Sequence, residues 1–95
     1  MEKITVKEVR HVLERIAAGG HEERLLKEKT DEELLETNLI DEFSFSSLDF
    51  EEMLCIFSLE YRITAERSAM EKSSFRNNPT VENFIKIMND YGFCF

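Results

Sequence analysis

Ninety-five residues suffice for one domain with a single small core and are too few for two. With 42% hydrophobic and 34% charged side chains, three glycines and one proline, the composition excludes a disordered or collagen-like chain and favours a folded, helix-prone one. Twenty acidic against twelve basic residues give a net charge of −8, which opposes the phosphate contacts of nucleic-acid binding and steers the chain toward basic patches on proteins.

Met1-Glu2-Lys3-Ile4 lacks the basic start and long apolar run of a signal peptide, and no apolar segment approaches membrane-spanning length. A cytoplasmic monomer without a membrane span is expected, with Cys55 and Cys94 both reduced, because their spacing fits neither a disulfide framework nor a zinc site. Thr5-Val6-Lys7-Glu8 has the form of a capping box, and Val9, Val12, Leu13 and Ile16 recur at helical spacing until Gly19-Gly20, so a first helix is predicted here. From His21 to Glu36 the chain is highly charged, with Leu25, Leu26, Leu34 and Leu35 as apolar content. A second capping-box pattern lies at Thr30-Asp31-Glu32-Glu33, and one or two short helical turns are expected.

Thr37 to Ser46 shows no helical period but carries Leu39, Ile40, Phe43 and Phe45, which predicts a loop pinned onto the core. Ser46 is placed as an N-cap with Asp49 at the third helical position, opening a second main helix that runs to about Arg62. A short third helix is expected over 64–71, then a turn-rich stretch over 73–78. Asn78-Pro79-Thr80 is expected to cap a last helix with proline at its first position, followed by the stripe Val81, Phe84, Ile85 and Met88 and an end near Gly92. No alternating strand pattern and no internal repeat occur. The prediction is an all-α bundle of three main helices plus one short helix, with a long first loop, as one domain over 1–95.

At about 100° per residue, Phe50, Met53, Leu54, Phe57 and Tyr61 of the second main helix share one side and are expected to face the core. Leu48, Cys55 and Leu59 fall opposite, among Glu51, Glu52 and Ser58, as an apolar strip fringed by acids. Scattered exposed apolar residues occur on any surface. Beside Ser47, such a strip also suits a docking face on which carboxylates select a basic partner and apolar groups give contact area.

The order of elements, with Ser47-Leu48-Asp49 opening an acidic second helix, resembles the acyl carrier protein family, including peptidyl carrier domains, from Thr5 to about Met88. Leu39, Phe43 and Leu48 are similar to its apolar positions around the motif, Glu60-Tyr61 to its Glu-Phe pair, and Thr80-Val81 to the opening of its last helix. The resemblance implies that Ser47 accepts 4′-phosphopantetheine from a phosphopantetheinyl transferase, and that the arm's thiol carries an acyl or aminoacyl group as a thioester. It also implies that Leu48, Glu52 and Cys55 recognise the transferase and acyl-activating or acyl-transferring enzymes through their basic patches, and the helical projection adds Glu51 and Leu59 to the same docking face. The domain itself is then a carrier and no enzyme, since neither His11 nor His21 is placed to activate a serine.

Four departures accompany the resemblance. Ser46 stands where the family has aspartate, Ser44 where glycine is frequent, and Leu59 where an acid is common. The 19–36 segment is also longer than a compact carrier needs. Serines at a helix start are equally explained by capping alone, and a carrier-like module that is never modified and acts only by binding proteins is the alternative. Asp41 to Ser46 fails as a calcium loop because phenylalanine holds its third and fifth positions, and neither histidine has a second metal ligand at suitable spacing. Cys94 is expected to be an ordinary apolar side chain.

Overall fold

The computed structural model describes residues 4–17, 21–65 and 75–94. Six helices occur among them: α1 (Val6–Ile16), α2 (His21–Glu28), α3 (Asp31–Leu35), α4 (Leu39–Phe43), α5 (Ser47–Tyr61) and α6 (Val81–Tyr91). A 3-10 turn spans Phe75–Asn77, and two-residue strands β1 (Ile63–Thr64) and β2 (Phe93–Cys94) complete the order. The protein is predominantly helical, as expected. Among the described residues no helix is long and apolar enough to cross a membrane. Gly19-Gly20, residues 66–71 of the predicted short helix, and the side chains of His21 and Cys94 lie outside the described residues.

Helix α1 is the hub. Its capping box forms as its sequence predicts, with Glu8 accepting from both the backbone and the hydroxyl of Thr5. Val9, Val12 and Leu13 make one stripe, and all three are buried where α1 packs against α2, α3, α5 and α6. The residues leading into α1 are held as well. Asn89 of α6 accepts from the Ile4 amide at 3.1 Å and donates to the Ile4 carbonyl at 3.3 Å. On the far side, Glu60 of α5 pairs with Arg15 and, at 3.4 Å, with His11, which serves here as a surface partner to a carboxylate.

The charged 21–36 segment resolves into two helices, and a single arginine organises both. Arg10 of α1 donates from Nη1 to the Leu26 carbonyl at 2.8 Å and from Nη2 to the Lys29 carbonyl at 2.9 Å, and pairs with Asp31 at 2.9 Å. It thereby adds a second donor to the Leu26 carbonyl, which also accepts from the Lys29 amide at 3.3 Å, satisfies the Lys29 carbonyl just past α2, and anchors the start of α3. Leu26 and Leu34 enter the core beneath these bonds, while Leu25 and Leu35 pack at its margin. Thr30 caps α3 in the predicted capping box, with Glu33 Oε1 accepting from the Thr30 amide at 3.1 Å.

Four expectations are corrected. The 37–46 stretch contains a true helix, α4, whose five residues are too few to display a period. Ile40 points outward at 39% exposure instead of joining the core. Thr64 belongs to a strand: Ile63 pairs with Cys94 and Thr64 with Phe93, antiparallel, a ribbon too short to show alternation in sequence. Pro79 precedes the cap instead of occupying the first helical position of α6. The Thr80 side chain is the cap and accepts from the Asn83 amide at 3.2 Å. Tyr61 lies at the core margin, 37% exposed, with its ring 5.6 Å from Phe57 and 6.3 Å from His11. Gly92 ends α6 as expected, and a Cβ there would collide with the Met88 carbonyl as the chain turns into β2.

Replacing Arg10 by Met keeps its apolar stem but removes its bonds to the Leu26 and Lys29 carbonyls and to Asp31, and should cost about 1–2 kcal/mol of unfolding free energy. Urea denaturation measures this, and amide exchange should rise first in Leu25–Glu28; an unchanged midpoint would remove Arg10 from this role.

Candidate functional site

The site begins with backbone bonds that fix its approach. The Leu39 amide donates to the Pro79 carbonyl at 2.8 Å and the Val81 amide to the Thr37 carbonyl at 3.1 Å, so the starts of α4 and α6 are tied together. Thr37 is buried, and its hydroxyl donates to the Glu33 carbonyl at 3.0 Å. Asn38 caps α4 by accepting from the amides of Ile40 and Asp41 at 3.0 and 2.9 Å. Glu42 closes the arrangement, accepting from the Asn38 amide at 2.9 Å and from Lys29 Nζ at 3.0 Å.

Helix α4 stops at Ser44, whose φ of 54° and ψ of 37° are left-handed. The amides of Ser44 and Phe45 both return to the Leu39 carbonyl, which ends the helix and aims the chain toward α5. Ser44 thus holds a position where the backbone favours glycine. Phe45 then anchors the turn. Its ring meets Phe50 edge-on at 5.3 Å, Phe50 meets Phe75 at 5.1 Å, and Phe75 meets Phe84 of the core at 6.2 Å.

Ser46 caps α5. Its amide and hydroxyl donate to Asp49 Oδ2 at 2.7 and 3.0 Å, and its oxygen accepts from the Asp49 amide at 3.4 Å. Ser47 is the first residue of the helix, exposed, and outside this capping box. The two adjacent serines therefore do different work: one holds the helix end, and the other offers a hydroxyl to solvent.

From Ser47 the helix presents its two predicted faces. Met53 and Phe57 are fully buried, and Phe50 and Leu54 pack on the core. Leu48 and Leu59 are 74% and 75% exposed, and Cys55, Glu51 and Glu52 are exposed with them. Leu48, Glu52, Cys55 and Leu59 follow one another at helical spacings of four, three and four, so they form a continuous strip beginning beside Ser47. Cys55 is a free thiol, and no cluster able to hold a metal ion occurs among the described residues.

Sequence reasoning missed a cleft on the other flank of the same turn. It has a volume of about 260 Å³ and lies between α1, α2 and the 43–45 segment, with Asp49 of α5 also in its lining. Leu26 and Phe43 were legible as apolar residues, but nothing in a string indicates that their helices leave space between them. The chain matches no protein-family model, no curated protein and no solved structure.

Two outcomes follow for the approach to Ser47. Ser44→Gly should stabilise the fold by about 0.5–1 kcal/mol in urea denaturation, since relief of the left-handed Cβ contact exceeds the added freedom of the unfolded chain; a loss would mean that the Ser44 side chain contributes to the native state. Partial desolvation opposes ionisation of Glu42, but the hydrogen bonds from Lys29 and Asn38 outweigh it and hold the carboxyl below its ordinary 4.5. Because the folded value is the lower one, this contribution is complete above that value and is lost as pH falls through the folded one. Glu42→Gln should flatten the acid limb of the stability profile below about pH 5; an identical acid limb in both proteins would refute the coupling.

Proposed function

We propose that this chain is an acyl-carrier-like protein, a helical bundle of carrier type whose Ser47 bears 4′-phosphopantetheine and whose exposed α5 strip docks partner enzymes. The division of labour between Ser46 and Ser47 carries the proposal. Either aspartate or serine caps a helix well, so Ser46 preserves the helix start that holds Ser47 outward. Ser47 needs no capping role of its own, and its hydroxyl is open to an incoming enzyme.

Modification joins the Ser47 oxygen to the pantetheine-bearing phosphorus of coenzyme A. The phosphoanhydride bond breaks, adenosine 3′,5′-bisphosphate leaves, and a base of the transferase takes the hydroxyl proton. No general base of this chain is required. The arm's thiol then holds an acyl or aminoacyl group as a thioester and raises its effective concentration at each docked enzyme. Leu48, Cys55 and Leu59 supply apolar contact, and Glu51 and Glu52 select partners with basic patches, in line with the net charge of −8.

The second reading, an unmodified interaction module using the same strip, is favoured by one feature. Ser46 lacks the carboxylate that a transferase of this type is expected to engage.

Incubation with coenzyme A and a broad-specificity phosphopantetheinyl transferase, followed by intact mass, separates the two. Gain of one phosphopantetheine that disappears in Ser47→Ala, with helical content and unfolding midpoint nearly unchanged, is the expected result. Absence of any gain, in the wild type and in Ser46→Asp alike, leaves the interaction module standing.

A further inference from the structure

The cleft beside α5 has its own chemistry. Its body is apolar: Leu13, Ile16 and Ala17 of the α1 end, Leu26 of α2, and Phe43 and Phe45 of the approach to Ser47. Its polar lining is Glu22, Ser44 and Asp49, two carboxylates and a hydroxyl, with no basic side chain among the described lining residues. An apolar cavity of about 150 Å³ accommodates a benzene ring, so about 260 Å³ is room for a chain of six or so carbons with a polar head.

From this lining we propose that the cleft binds a small amphiphilic amine, its hydrocarbon body against Leu13, Leu26 and Phe43 and its ammonium against an acidic side chain of the lining. Asp49 is already held by the Ser46 amide and hydroxyl. Glu22, in the first turn of α2, therefore supplies the carboxylate that the ligand meets. A carboxylate-headed ligand of the same body would meet repulsion from both acids and from the net charge of −8. The site is non-covalent and does not require Ser47 to be modified, so its failure leaves the carrier proposal untouched, and the reverse holds too.

The test is a titration of the full chain, unmodified, with n-hexylamine, hexan-1-ol and hexanoate, followed by backbone amide shifts. Hexylamine should give saturable shifts at Leu13, Leu26 and Phe43–Phe45, with hexanoate about tenfold weaker. Glu22→Gln should weaken hexylamine about threefold and leave hexan-1-ol unchanged, whereas Ala17→Phe, which fills the cleft from the end of α1, should abolish both. Equal binding of hexanoate, shifts confined to the exposed α5 strip, no saturable shift, or an equal effect of Glu22→Gln on the alcohol would each overturn the assignment.

Discussion

The site depends on a pair of backbone hydrogen bonds that join two helix starts far apart in sequence. Leu39 to Pro79 and Val81 to Thr37 lock α4 against α6. Every later feature of the approach is measured from that clasp: the left-handed Ser44, the buried Phe43, the half-buried Phe45 and the capped end of α5. The aromatic series from Phe45 through Phe50 and Phe75 to Phe84 ties the same turn to the core, so the Ser47 end of α5 is braced from both sides. An exposed hydroxyl on a braced helix end suits modification by another enzyme, because its position does not have to be created on docking.

Ser46 shows how one position can carry two separable properties. As a cap it equals aspartate, because only an oxygen acceptor is needed for the Asp49 amide. As a charge it does not, and any partner that reads that carboxylate meets a neutral hydroxyl instead. The acids at this end of α5 are Asp49, Glu51 and Glu52, of which Asp49 is engaged in the capping box.

The 21–36 segment is organised by contacts that its own sequence does not contain. Its leucines and the Thr30 capping box predict one or two short helical turns, and two helices form, α2 and α3. Arg10 reaches from α1 to its carbonyls, and Leu26 and Leu34 fall into the core as a result. The segment also builds the second wall of the cleft, which gives the same turn two unlike flanks: an exposed acidic strip along α5 and a recessed apolar space between α1 and α2.

By itself the sequence determined the features that local chemistry decides. The capping boxes at Thr5, Thr30 and Ser46 place helix starts through bonds three residues long, and the stripes of α1, α5 and α6 assign faces through the helical period. The exposure of Leu48, Cys55 and Leu59 was legible for that reason. Tertiary structure alone decided α4, the β1–β2 ribbon, the place of Pro79 ahead of its helix, and the cleft. α4 and the ribbon are too short to carry a period, and their bonds join residues far apart in the chain. The cleft is a space between helices, fixed by how they pack and by no single residue.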